Sequence, residues 1–354
     1  IAPEMEFTSF STGERANARM VKSACRLPFV PANGLLYSFP VQCECFPMLR
    51  GYIGLAQTSA APDTKARLSK GPAYDDRSGA GVPARAGSET RDTSFADDSD
   101  WPMYRRDVYR SGATKADLSG EKLQALWEVQ LALAPSGPLA AEWQDNPYIK
   151  GPITAPVIAG GTAVVAHSDR HRVIALDAQS GTRRWEFIAG GRIDTAPTIH
   201  EDLCIFGAHD GMVYCVSLKD GQLVWQFDAA PKKARIMVHG QMESVWPVAG
   251  SVLVEDGVAF VAAGRHPASD GGVHVFALKA RTGEVCWKKV LSDVGIKSWY
   301  GPTLTDSKRK VGVDYEPVDL LVRDGEFISM SRWRFQPKSG EIKLAMQSLD
   351  YEAG

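Results

Sequence analysis

Arg192 and Asp194 stand one residue apart, and about fifty residues later the chain carries Gln241, Glu243 and Trp246, with Arg265 beyond them. A guanidinium binds a carboxylate or another planar anion through two parallel N–H bonds, and a tryptophan face accepts a cation or a flat ring. Those types together suit a planar polar ligand held by ion pairing and stacking. The same groups equally suit one another, as salt bridges lining a water-filled channel. His171, His209, His239 and His266 are too scattered for a metal site and read as solvated loop histidines. Cys25, Cys43 and Cys45 are either three metal ligands or a disulfide plus one thiol, but no zinc-like spacing or nearby histidine completes a set, so no metal is assigned. Cys204, Cys215 and Cys286 read as packed core thiols. G-x-S-x-G, H-E-x-x-H and the P-loop are absent, as is a G-x-G-x-x-G between strand and helix, so no catalytic residue is assigned. The Ala189–Gly191 run reads as a connecting turn.

What must position these residues is a repeat. "VVAHSDRHRVIALDAQSGTRRW", ending at Trp185, lies without a gap on "CIFGAHDGMVYCVSLKDGQLVW", ending at Trp225, at an offset of 40. Upstream, "TAPVI" from Thr154 answers "TAPTI" from Thr195 at an offset of 41, which places one inserted residue between the two stretches. A third copy, "HVFALKARTGEVCW", ends at Trp287. A period near forty, filled by short apolar strands and polar turns, predicts four-stranded propeller blades. Gly181, Gly221 and Gly283 then supply the positive φ of the turn before the last strand. Trp185, Trp225 and Trp287 bury against the neighbouring blade. The ungapped alignment also sets Cys204 across from Cys215, as Val164 faces Ala175.

Alternation of antiparallel strands sends the turns between second and third strands, and the blade-to-blade links, to one face. That face collects Asp169, Arg170 and His171, Arg192 and Asp194, His209 and Asp210, Lys232 to Glu243, and Arg265 with His266. The glycine turns open on the opposite face. Loops on a rigid scaffold are where binding tends to reside, so Arg192, Asp194, Gln241, Glu243, Trp246 and Arg265 are the candidate ligand-binding set.

The "ALDAxxGxxxW" pattern resembles the tryptophan-docking repeat of pyrroloquinoline quinone (PQQ) type propellers, and "DWPMYRRDVYRSGAT" is similar to the opening segment of many of them. "GQMESVWPVAGSVLVEDGVAFVAAGR" and "AGGRIDTAPTIHEDLCIFGAHDGMVYCV" resemble large bacterial PQQ-like repeat proteins. The resemblance implies an all-β propeller with seven or eight blades in the intact protein, of which this chain holds a partial set. It implies three roles: a noncatalytic binding or scaffold module in a larger periplasmic or cell-envelope protein; a PQQ- and Ca2+-dependent quinoprotein dehydrogenase; or an outer-membrane assembly factor-like propeller. The dehydrogenases place Glu, Asn and Asp on calcium and a vicinal cysteine pair over the quinone. This chain has no Cys-Cys, and its only asparagine after residue 100 is Asn146. The noncatalytic role is therefore preferred, with no cofactor, and with PQQ and Ca2+ belonging to the alternative.

Forty basic against 42 acidic residues leave no nucleic-acid footprint, and no apolar run is long enough for a membrane helix. The partner is then a protein or a small polar ligand at the loop face. Residues 1–56 read as strands of earlier blades, 57–99 as an aperiodic insert or linker, and 100–354 as blades cut short at the C-terminus. With Ile1 first and no initiator methionine, the chain reads as a fragment.

Overall fold

The computed structural model describes residues 5–18, 29–38, 53–56, 66–74, 100–116, 124–133, 136, 140, 151–238, 240–267, 270–291, 320–330 and 333–344. Among them are four antiparallel sheets of repeat origin. The first holds β7 (Val157–Ala159), β8 (Thr162–His167), β9 (Arg172–Asp177) and β10 (Arg183–Ile188); the second holds β11 (Thr198–His200), β12 (Leu203–Gly207), β13 (Met212–Ser217) and β14 (Leu223–Asp228). Next come β17 (Leu253–Glu255), β18 (Val258–Ala263), β19 (Val273–Lys279) and β20 (Val285–Leu291), then β21 (Val322–Asp324), β22 (Phe327–Met330), β23 (Trp333–Phe335) and β24 (Ile342–Leu344). In each sheet the strands pair in chain order, and the first strand β11 of the second sheet neighbours both β7 and β17. These are the blades of an all-β propeller.

Before the blades come β1 (Met5–Thr8) and β2 (Arg15–Ala18), a hairpin, then β3 (Val30–Ala32), β4 (Leu35–Ser38), β5 (Ile53–Ala56) and β6 (Leu68–Lys70). Between the second and third blades, β15 (Arg235–Val238) and β16 (Gln241–Ser244) form an inserted hairpin. β3, β4 and β5 extend its sheet through a β5–β15 pairing, and β6 adds a fifth strand to the outer edge of β14.

The tryptophans lock one blade to the next. Trp185, Trp225 and Trp287 face Ala175, Cys215 and Ala277 and are buried. Each indole N–H donates to a carbonyl of the following blade: Leu218 at 2.7 Å, Ala280 at 2.9 Å and Pro337 at 2.6 Å. Three residues past each acceptor stands a glycine with positive φ, Gly221, Gly283 or Gly340, where a Cβ would run into the docked indole. Trp127, unremarked in the repeat alignment, docks the same way on Ala178 and Gly181.

One register differs from expectation. Val164 faces Ala175, but Cys204 faces Val216 and Cys215 faces Ile205. The offset of 41 therefore runs through β7 and β8, and the step to 40 falls in the turn between second and third strands. There the first blade spends Ser168 to Arg170 on a 3-10 turn and His171 in the left-handed region, one residue more than the second blade uses. Cys204 and Cys215 are buried free thiols, as read from sequence, whereas Cys286 is an exposed one; Cys25, Cys43 and Cys45 lie outside the described residues.

Residues 101–112 tie the blades together at their inner strands. Trp101 and Ile158 exchange backbone bonds, Ile199 N–H donates to Pro102, and Arg323 N–H donates to Val108. The buried Arg110 guanidinium donates to the carbonyls of Leu321, Ser251 and Tyr104.

Candidate functional site

Antiparallel pairing sends the turn before β9 and the glycine turn after it to opposite ends, so Asp169 and Gly181 lie on different faces. On the first face the β15–β16 hairpin crosses three blades. Gln241 Oε1 accepts from His171 Nε2 at 2.9 Å and Gln241 Nε2 donates to the Asp169 carbonyl, reaching the first blade. Glu243, two residues on and so on the same side of the strand, faces the second blade and receives Arg265 from the third. The backbone is built for this approach. His209 N–H donates to the Arg192 carbonyl and Ser244 N–H to the His209 carbonyl, and a Cβ at Gly191 would meet the Asp210 backbone. The Ala189–Gly191 turn is thus a close crossing of two chains.

Five charged side chains converge there. Arg192 binds Asp194 in bidentate fashion, Nε to Oδ1 at 2.8 Å and Nη2 to Oδ2 at 3.1 Å. Arg192 Nη2 also lies 3.1 Å from Glu243 Oε1. His209 bridges both acids, with Nε2 at 2.9 Å from Asp194 Oδ2 and Nδ1 at 2.9 Å from Glu243 Oε2. Arg265 Nη2 closes the cluster at 2.5 Å from Glu243 Oε2 and also donates to the Ser244 carbonyl. None of the five side chains is more than 5% exposed.

At this burial the electrostatics are coupled. Desolvation disfavours the His209 cation, but Asp194 and Glu243 on either side outweigh it and raise its pKa. Burial likewise works against both carboxylates, yet His209 and Arg192, joined at Glu243 by Arg265, hold both below the ordinary carboxylate range. Nearby, burial raises Asp270, with Arg265 opposing it.

Arg192, Asp194, Glu243 and Arg265 are therefore brought together and bonded to each other. Gln241 lies beside them, half-buried, and the buried Trp246 donates its indole N–H to the Asp270 carbonyl. His209 and His266 are buried, against their reading as solvated loop residues, His209 because the inserted hairpin crosses its turn through Glu243 and Ser244; His239 is outside the described residues. The central role of His209 escaped sequence reasoning, since a single histidine in a turn carries no spacing signal. Lys232, Lys233, Arg235 and Met242 remain exposed on the hairpin and its approach. Among the described residues no group of three or more His, Cys, Asp or Glu is arranged to hold a metal, and no helix is long and apolar enough to cross a membrane.

A family model described as outer membrane protein assembly factor BamB, of the PQQ-like repeat type, matches residues 117–294 and, in an overlapping second match, 210–332. The outer membrane protein assembly factor BamB of Yersinia pestis is 23% identical over 147 residues, covering 40% of this chain and 34% of its own length. Among solved structures, the quinohemoprotein alcohol dehydrogenase ADHIIG of Pseudomonas putida HK5 is similar with a TM-score of 0.51 at 15% identity, over 75% of this chain and 42% of that one. The chain thus spans well under half the length of either relative.

Proposed function

Because the chain belongs to the PQQ-like repeat family whose model spans residues 117–332, we propose that it is a noncatalytic propeller, a rigid module of a bacterial cell-envelope protein whose loop face binds a protein partner. The observation that carries this reading is the closure of the charged cluster. All four carboxylate oxygens of Asp194 and Glu243 face cationic nitrogens within 3.1 Å. In this reading the six candidate residues shape and stiffen the loop face, and contact falls to the exposed side chains of the β15–β16 hairpin.

The quinoprotein alternative requires hard oxygen ligands converging on Ca2+ beside the quinone. Among the described residues, the charged cluster does not suit that group. All four oxygens of Asp194 and Glu243 already face Arg192, His209 or Arg265, so a divalent ion would have to displace the two guanidiniums and the imidazole from them. An envelope, periplasmic location is supported by the assembly factor among the relatives, whose name places it at the outer membrane.

Two measurements test the reading. Purified protein titrated with PQQ and Ca2+ is expected to show no Ca2+-dependent quinone absorbance and no dye reduction with alcohols or sugars; stoichiometric quinone binding with turnover overturns it. Photo-crosslinking residues placed at Lys233 or Met242 in the native host are expected to yield a discrete protein adduct, and the same probe at Gln179 or Lys219, on the glycine-turn face, none. Equal adducts from both faces would refute a loop-face partner.

A further inference from the structure

The second blade carries a strand that its architecture does not require. β6 pairs antiparallel with β14, Leu68 opposite Phe227, Ser69 opposite Gln226 and Lys70 opposite Trp225. The first and third blades, complete with four strands, have no such addition among the described residues. Residues 66–74 also lie outside the repeat, within a stretch whose composition shows no strand periodicity.

The contact is nonetheless closely fitted. Asp228 N–H donates to the Arg67 carbonyl, Gly71 N–H to Val224 and Ala73 N–H to Leu223, extending the ladder beyond the strand itself. Arg67 Nη1 donates to the carbonyls of Asp228 and Ala230 at 2.9 and 3.1 Å. Leu68, Ala73 and Tyr74 pack on the core that holds Trp225, and Leu68 sits over Gly283, where a Cβ would strike it. Lys70 lies 4.3 Å above the Tyr74 ring. Gly71 passes so close to the blade that a Cβ there would overlap the Leu223 carbonyl. Pro72, which has no N–H to offer, ends the new edge against further pairing.

Strand addition of this kind takes affinity from main-chain bonds and specificity from side-chain seats. We propose that the outer edge of β14, with the Trp225–Gly283 seat, is a peptide-accepting site that residues 67–74 occupy as a ligand in cis, and that it takes from a partner protein an extended segment of the same chemistry. That chemistry is a basic residue, an aliphatic residue for the Leu68 seat, a glycine three positions later, and a small residue followed by an aromatic. The site is separate from the loop face and does not depend on the role assigned to it.

The test uses a fluorescein-labelled peptide of residues 66–74 and the full chain. Wild-type protein, with its site filled, is expected to bind the peptide at least tenfold more weakly than a Gly71→Val variant, whose own segment cannot seat. A peptide carrying the same substitution should bind neither. As a second route without substitution in the segment, protease sites introduced at 58–63 and 80–90 free the segment after folding; the nicked segment should then exchange with labelled peptide. Fluorescence of the docked tryptophans reports that the blades remain folded in both. If the opened edge takes up no peptide, or wild type and variant bind equally, the proposal is wrong.

Discussion

Both His209 ring nitrogens face carboxylates, which favours the cation because a neutral imidazole has only one N–H to offer two acceptors. Its raised pKa fixes the sign of a pH effect. The stabilisation is complete below the ordinary imidazole value of about 6.5 and is lost as pH rises through the raised one. Asp194 and Glu243, both lowered, act in the opposite sense: their contribution is present above the ordinary carboxylate range and is lost as pH falls. His167 and His274, whose pKa values burial lowers, oppose the His209 effect on the acidic side, so the His209 share is read against a variant: its contribution to the melting temperature should be largest below neutrality and shrink toward alkaline pH. His209→Gln should lower the melting temperature at acidic pH and flatten its alkaline decline, whereas an unchanged alkaline limb in the variant would assign the titration elsewhere. The cluster was partly legible in the sequence. Strand alternation alone sends Arg192, Asp194, Glu243 and Arg265 to one face, but mutual pairing and burial depend on the inserted hairpin, whose path no repeat period encodes.

At the scale of the element, the unit of cohesion is a tryptophan on one outer strand and a glycine turn on the next blade. The two fail differently. Trp225→Ala removes a fully buried side chain and should cost about 3–5 kcal/mol, read as a shift of the denaturation midpoint. Gly283→Ala leaves the tryptophan in place but forces a Cβ against both Trp225 and Leu68 at φ +72°, so it should destabilise by about 1 kcal/mol or more and loosen β6 as well. A neutral Gly283→Ala would break the link between turn and indole. These elements were the most legible part, because each blade repeats the same alternation and the same Gly-to-Trp spacing. The misplaced register around Cys204 has a local cause. One residue gained in a hairpin turn leaves the flanking strands' apolar pattern intact, so an ungapped alignment hides the step. β6 was invisible for another reason: its three residues have no alternation of their own, and their pairing is set by an edge more than 150 residues away.

Across the whole molecule the blades also share a common tie at their inner strands. The segment from Trp101 to Arg110 reaches the first strands of the first, second and fourth blades through backbone bonds, and Arg110 joins the third by donating to Ser251 just before β17. Burial lowers the Arg110 pKa to about 10, with Asp107 and Tyr104 opposing it, so the guanidinium stays charged at neutral pH while its donors serve carbonyls from three places in the chain. Replacing it leaves those carbonyls without their donor, and hydrogen bonds to a charged group are worth about 1.5–3 kcal/mol each. Arg110→Met should therefore cost about 3 kcal/mol or more, and Arg110→Lys should not restore it, because a single ammonium cannot span the fork of acceptors. Hydrogen exchange separates this tie from the blades. In Arg110→Met the amides of Ile199 and Arg323, which donate to Pro102 and Val108, should lose protection together, while the amides within the β12–β13 ladder keep theirs. Loss of protection at Arg323 alone would mean that the segment is bound blade by blade and that Arg110 serves the fourth blade only.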